Sequence, residues 1–332
     1  MDITELDIST KNLDHLGVVS GIIDELGIVE KIDSLIPISD LSKLSIGNRV
    51  KGMILSGLGF TNYRLYMSEH FFKNKPVSRL FDDTVEAEHF NDDALGRCLD
   101  KIHEYGSSAF YAQIAFAVAK EKGLLENGYR HDSTSLSVSG DYEECDEDSI
   151  NITHGYSKDH RFDLKQITLM LTMSLSNSFP LWISALDGNA NDKKSFHEVD
   201  KKFRAFRKQL KQSSDPLIVG DSALYSSELL KRSTEDIDLY WLTRVPESIA
   251  DAKKLVMADE ADINWISLND DYKVTNHSIE RQSVKQRWQL VFSEKAYVKE
   301  CKTFHKRLPK LKEKCEAELK KLKIFACETD AH

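Results

Sequence analysis

Cysteine is scarce in this chain. Five residues of 332 (Cys98, Cys145, Cys301, Cys315 and Cys327) are odd in number and form no Cys-x-x-Cys pair. Neither a disulfide framework nor a zinc site is therefore supported, and reduced thiols in a cytosolic protein are the expectation. No apolar run reaches the roughly 20 residues that span a bilayer. The opening Met1-Asp-Ile-Thr-Glu-Leu-Asp7 is acidic, unlike a signal peptide. Positive charge is also short: 45 Lys and Arg face 54 Asp and Glu, a formal net charge of -9. That argues against non-specific nucleic-acid binding by the molecule as a whole and leaves room for a local basic face. The rest is ordinary for a soluble globular protein: 41% hydrophobic and 30% charged residues, with length for two or three domains and a sizeable core.

Residues 1–125 carry helix patterns and no strand signal. Leu16, Val19, Ile22, Ile23, Leu26 and Ile28 recur at helical spacing, with Gly27 as a stop. Ser45-Ile-Gly-Asn-Arg-Val50 opens a second helix. Tyr63, Tyr66, Phe71 and Phe72 with Lys73 and Lys75 interleave aromatic and basic residues as a DNA grip would, yet aromatics at helical spacing are read as core. Asn91 or Asp92 caps a helix with Leu95, Leu99 and Ile102 on one face, and a longer apolar helix runs from about Ser107 to Lys122. Such a region suits DNA binding or oligomerisation.

The texture then changes. Tyr129-Arg-His-Asp-Ser-Thr-Ser-Leu-Ser-Val-Ser-Gly140 reads as a strand with an acid, Asp132, near its start. Strands avoid Asp, so an acid there needs a partner or a purpose. The acidic run 141–148 reads as a solvated loop. Gln166 to Leu175 and Pro180 to Leu186 form a strand pair, Asp192 to Gln212 a basic amphipathic helix, and Leu217-Ile-Val-Gly-Asp221 a buried strand with an acid at its tip. This order predicts an α/β, ribonuclease H-like mixed sheet, with the first and fourth strands parallel neighbours and their acids at one end. The spans are 126–236 for the first part of that core, 237–293 for a β-rich insertion and 294–332 for a charged helical arm. In the arm, Leu308, Leu311, Cys315, Leu319 and Leu322 approximate a heptad seam that Pro309 should kink or break. A solvated arm and a paired coiled coil both fit.

Four stretches resemble bacterial insertion-sequence transposases of the DDE type, in the group with a β-rich insertion. They are His131-Asp-Ser-Thr-Ser135, Ile152-Thr-His-Gly-Tyr-Ser-Lys-Asp-His-Arg-Phe-Asp-Leu-Lys-Gln166, Val219-Gly-Asp-Ser-Ala-Leu-Tyr-Ser226 and Lys285-Gln-Arg-Trp-Gln-Leu-Val291. Lys11 to Asp24 is similar to the opening of these enzymes. The single acids are weak signals; the long second stretch, placed between them, is the specific one. Phe162 departs from the pattern, where a proline is expected. A second departure matters more. The family's third carboxylate, a Glu on a helix with Tyr and Arg before it, has no counterpart after residue 295, since Glu313, Glu316 and Glu318 lack those neighbours. On this resemblance the sequence reads as the N-terminal part of a longer transposase.

The resemblance implies metal-dependent DNA strand cleavage and transfer, with Asp132 and Asp221 as catalytic acids holding Mg²⁺ (Mn²⁺ in its place). It implies transposon-end DNA with terminal inverted repeats and target DNA as partners, a homodimer when active, and a cytoplasmic, nucleoid-associated location. Lys158, His160, Arg161 and Lys165 would grip phosphate; the plainer reading is a hydrogen-bonded loop bracing the sheet. His154 and His160 have no further ligand at a zinc spacing. Two other functions compete: a DNA-binding or dimerising inhibitor of transposition, and a stand-alone nuclease whose third acid is Asp187 or Asp192.

Overall fold

The computed structural model describes residues 10–37, 43–142, 149–211, 216–236 and 239–320. The acidic run at 143–148, Cys145, Leu322 and Cys327 lie outside the described residues. The chain divides into two compact units, Met1–Leu229 with Asp238–Arg244, and Leu230–Ile237 with Val245–His332.

The first unit opens with helices α1 (Leu16–Glu25), α2 (Ile28–Leu35), α3 (Ile46–Gly57), α4 (Ser68–Lys73), α5 (Val77–Leu80), α6 (Asp92–Tyr105) and α7 (Ser107–Glu121). Their starts follow capping chemistry. The Ser45 hydroxyl accepts from Asn48 N at 3.1 Å, and the Asn91 side chain accepts from Ala94 N at 3.0 Å. Gly27, at φ +58°, separates α1 from α2. Leu16, Leu55, Phe71, Phe72, Leu80, Phe90 and Leu95 form one apolar cluster, with the Phe72 and Phe90 rings 4.3 Å apart. Of the aromatic stretch read as core, only Phe71 and Phe72 are inside. Tyr63 and Tyr66 precede α4 and stay exposed.

α7 differs from its sequence assignment. It packs on the sheet, where Ala112, Phe116 and Ala119 join the second core. That sheet has five strands: β1 (Gly128–Val138), β2 (Lys165–Ser174), β3 (Pro180–Leu186), β4 (Leu217–Gly220) and β5 (Trp241–Thr243). Their spatial order is β3-β2-β1-β4-β5. β1, β2 and β3 pair antiparallel, while β4 runs parallel to β1 and β5 parallel to β4. This is the mixed, ribonuclease H-like sheet. Helix α8 (Asp192–Gln209) makes the crossover from β3 to β4.

One face of the sheet is closed. Burial alternates strictly along β2, with Gln166, Thr168, Met170, Thr172 and Ser174 inside. Met170, Tyr129, Trp182 and Ile218 meet Phe196, Val199, Phe203 and Phe206 of α8 in one cluster, each such burial contributing about 1.5–3 kcal/mol. On the opposite face Ile167, Leu169, Leu171 and Met173 are half-buried.

The expected boundary at residue 237 moves. Trp241–Thr243, assigned from sequence to the β-rich insertion, is the edge strand of the main sheet, because its backbone pairs with Ile218 to Gly220. Helix α9 (Ser227–Glu235) lies between β4 and β5. The second unit then holds α10 (Ala250–Val256) and the strands β6 (Ile266–Ser267), β7 (Tyr272–Arg281) and β8 (Val284–Ser293), a separate antiparallel sheet in that order. Val274 and Trp288 are its buried apolar residues, beside buried Thr275 and Gln286, and Arg281 pairs with Asp251 at 3.4 Å. α11 (Glu294–Leu319) follows at once, with the Ser293 hydroxyl accepting from Ala296 N at 3.3 Å. It continues through Pro309 without the expected break. The helix is exposed along its length, so the His305 carbonyl left without the Pro309 N–H can turn to water.

Candidate functional site

Strand register relates the two sequence-predicted acids. β1 and β4 pair from Gly128–Leu217 through Tyr129–Ile218 to Arg130–Val219. Extended two residues beyond its last pair, the same parallel register would align Asp132 with Asp221, which follows the last residue of β4. Side chains at equivalent positions of parallel strands leave on the same face. Tyr129 and His131 face α8, so Asp132 projects on the other side, and both acids are exposed.

Each acid is set by its neighbours. The Asp221 carboxylate accepts from Ala223 N at 2.9 Å, closing the turn in which Leu224 N donates to Asp221 O at 3.2 Å. The Thr243 hydroxyl of β5 donates to the Asp221 carbonyl. Asp132 is 76% exposed at its side chain, with Lys158 Nζ 3.8 Å from its carboxylate. That ammonium also donates to the Ser133 carbonyl, and Lys158 N donates to Ser135 Oγ at 3.2 Å.

The polar stretch 152–166 is bolted to the sheet. Thr153 bridges Gln166, whose side-chain amide donates to Gly188 O at 2.7 Å and Tyr156 O at 3.3 Å. The approach needs glycine on both sides. A Cβ on Gly155 would lie 2.0 Å from Gly188 O, and one on Gly188 would lie 2.1 Å from Gln166 O. Beyond this clamp the four residues predicted to grip phosphate part company. Lys158 lies beside Asp132. His160 turns at φ +57°, its ring 6.0 Å from that of Phe162. Arg161 is held bidentately by Asp163, at 2.9 and 2.8 Å, and this pairing draws the Asp163 carboxyl down to about 2. Lys165 donates to the carbonyls of Asp141 and, at 3.1 Å, Tyr142. The fold thus brings Lys158 to Asp132, while Arg161 and Lys165 brace the loop.

Sequence reading overlooked the buried network behind Asp132. Tyr129 OH donates to Asp200 Oδ1 at 2.6 Å, and His131 Nε2 sits 3.2 Å from the same oxygen. His131 Nδ1 lies 2.8 Å from Thr172 Oγ1. Asp200 is 0% exposed. Burial and then the Asp200 charge push the Tyr129 hydroxyl well above its usual range. One signal was available: Asp200 shares the helical face of Phe196 and Phe203 on α8, an acid inside an apolar stripe.

Among the described residues, no group of three or more His, Cys, Asp and Glu is placed to hold a metal. Asp187, one candidate third acid, accepts from Asn151 N at 2.9 Å and follows the last residue of β3, two strands away from β1. The side chain of Asp192, the other candidate, lies outside the described residues. No described helix is long and apolar enough to cross a membrane.

Residues 8–116, about a third of the chain, match a family described as a domain of unknown function (DUF4277). No curated protein matches the chain. Solved structures similar to it include a Mos1 transposase paired-end complex with left transposon end, at 8% identity and a TM-score of 0.26, covering 64% of this chain and 62% of that one. A piggyBac transposase synaptic complex with hairpin DNA is similar at 10% identity and a TM-score of 0.32, covering 88% of this chain and 54% of that one. A pre-cleavage Mos1 transpososome gives 9% identity, a TM-score of 0.24, and coverage of 72% and 80%. The chain therefore spans less than two thirds of the first two.

Proposed function

We propose that this chain is a transposase of the DDE type, working on DNA phosphodiesters at Asp132 and Asp221. The observation that supports the reading is the parallel β1–β4 register, which on extension points Asp132 of β1 and Asp221, just after β4, to the same end of the mixed sheet. Its partners are then transposon-end and target DNA.

The donor chemistry suits a hard cation. Two exposed carboxylates offer oxygen ligands and leave room for retained water, as Mg²⁺ requires. Asp132 and Asp221 would hold it, with Mn²⁺ as a substitute. When bound, it supplies activation of an attacking water or 3′-hydroxyl and stabilisation of the leaving oxygen. The chain's own residues do the rest. The Ala223 amide orients the Asp221 carboxylate, and the Thr243 hydroxyl fixes its backbone. The Tyr129–Asp200–His131 network holds β1 in register beneath Asp132. The Lys158 ammonium tempers the charge of Asp132 and stands where a phosphate oxygen would approach.

Two carboxylates balance one divalent ion but leave a two-ion site under-neutralised, and the described residues add no third to the pair. We accordingly propose weak metal binding and little or no strand cleavage by this chain on its own. Mn²⁺ titration followed by electron paramagnetic resonance tests the site. Weak binding should be lost in both Asp132→Asn and Asp221→Asn and kept in Asp187→Asn. Binding indifferent to the first two substitutions would remove the basis of the proposal.

A further inference from the structure

The second unit carries a charge pattern that the Asp132–Asp221 site does not use. In a chain of net charge -9, residues 301–312 of α11 contain Lys302, Lys306, Arg307, Lys310 and Lys312 and no acid. Placed at roughly 100° per residue, Lys299, Lys302, Lys306 and Lys310 fall in one row. The apolar positions Tyr297, Cys301, Phe304, Leu308, Leu311 and Cys315 fall on a seam roughly 170° away. The two faces are opposite, so a partner on the seam would leave the lysine row in water.

The row is built to stay open. α11 has no buried residue. Lys295, in line with the row at its start, is taken by Asp271, an ion pair that raises its pKa. No ion pair holds Lys299, Lys302, Lys306 or Lys310 among the described residues. Of the acids on the helix, Glu300 falls roughly 120° from the row, Glu294 sits beside its start and Glu313 follows Lys310 in line with it. Lys295, Lys299, Lys302 and Lys306, with Glu294 at one end, line an open depression on this side.

We propose that this row is a docking surface for the phosphate backbone of duplex DNA. Four lysines on a rigid rod extend over about 16 Å at 1.5 Å per residue. A small phosphorylated ligand would engage only one or two of them. A duplex presents one negative charge per ~1.7 Å of its axis and can meet them all. Lysines contact phosphate as point charges and read no base, so the surface binds without sequence preference. The inference rests on the reading of the chain as a DNA enzyme and adds a contact surface, in the second unit, to the site on the first.

The test uses the full chain and a fluorescent 30-base-pair duplex of arbitrary sequence, with anisotropy read between 50 and 200 mM KCl. One triple variant, Lys299→Gln/Lys302→Gln/Lys306→Gln, removes three charges from the row. A second, Arg307→Gln/Lys312→Gln/Lys253→Gln, removes three exposed charges elsewhere on the second unit, and Gln keeps helix propensity in both. The row variant should lower the slope of log affinity against log salt by about 2.7, roughly 40-fold less salt sensitivity across that range, and the second by less than one unit. Equal falls in the two variants, or no fall in the row variant, overturn the proposal. Preferential capture of poly-glutamate over duplex by the unaltered chain would assign the row to an acidic protein and overturn it too. Absence of duplex binding by the unaltered chain also ends it. The Mn²⁺ titration, which the row variant should leave unchanged, then judges the Asp132–Asp221 reading separately.

Discussion

Replacing Tyr129 by Phe removes one oxygen from a site with no access to water. The Tyr129 hydroxyl donates to Asp200 at 2.6 Å, and the Asp200 carboxylate is 0% exposed. A hydrogen bond to a charged group contributes about 1.5–3 kcal/mol, and the ring still packs on Phe203 at 4.7 Å between centroids. Tyr129→Phe should therefore cost about 2 kcal/mol. Asp200→Ala is worse, because it leaves the Tyr129 hydroxyl and His131 Nε2 without this partner in the core. Each buried polar group left without its partner costs about 1–3 kcal/mol, and here two are left. With a urea dependence near 3 kcal/mol per molar, the midpoint should fall by about 0.7 M for Tyr129→Phe and by more than about 1 M for Asp200→Ala. Hydrogen exchange of the peptide covering β1, followed along a urea series, reads this unit by itself. In the double variant the Tyr129 substitution should cost almost nothing further, a coupling of at least about 1 kcal/mol. If both single variants unfold within about 0.5 kcal/mol of the parent, or the two effects simply add, the network does not hold β1 as described.

Gly155→Ala forces a Cβ to within 2.0 Å of the Gly188 carbonyl, so the clamp between the polar stretch and β2 must open, at about 1–3 kcal/mol. The protein should be cut by trypsin at Lys158 or Arg161 well before the parent chain is, and an unchanged digestion pattern would count against the clamp. Burial pushes the Cys98 thiol up to about 11, leaving about two orders of magnitude less thiolate at pH 8 than an ordinary cysteine. Mass-mapped labelling of the folded protein should thus modify exposed Cys315 first and Cys98 only on unfolding. Equal rates at the two thiols would contradict the packing of α6.

Much of the first unit was legible because local pattern sets it. Pro180–Leu186 is a strand as read, and α8 begins at Asp192 as read. Asn91 caps α6 because a side-chain oxygen three residues ahead of a free amide is enough. The apolar run Leu217–Gly220 ends in Asp221, and Asp132 lies in β1, as their neighbours dictate. The order of those elements also carried the sheet, since a meander followed by one helical crossover has few right-handed ways to close.

Long-range pairing decided the rest. Trp241–Thr243 is a three-residue strand, and nothing in three residues says which sheet will bond them; the open edge of β4 does. Helix α7 looks like the end of a helical region until Phe116 finds Phe203 and Phe206, about 90 positions away. Arg161 and Lys165 offer positive charge in sequence, but Asp163 and the carbonyls of Asp141 and Tyr142 claim that charge once the chain folds back. Asp200 is one more acid on a charged helix until the fold puts it against Tyr129 and His131. Charge and periodicity are properties of neighbours along the chain, and they settled which segments form. Which side chains are left free to meet a ligand depends on contacts that exist only after distant segments have packed.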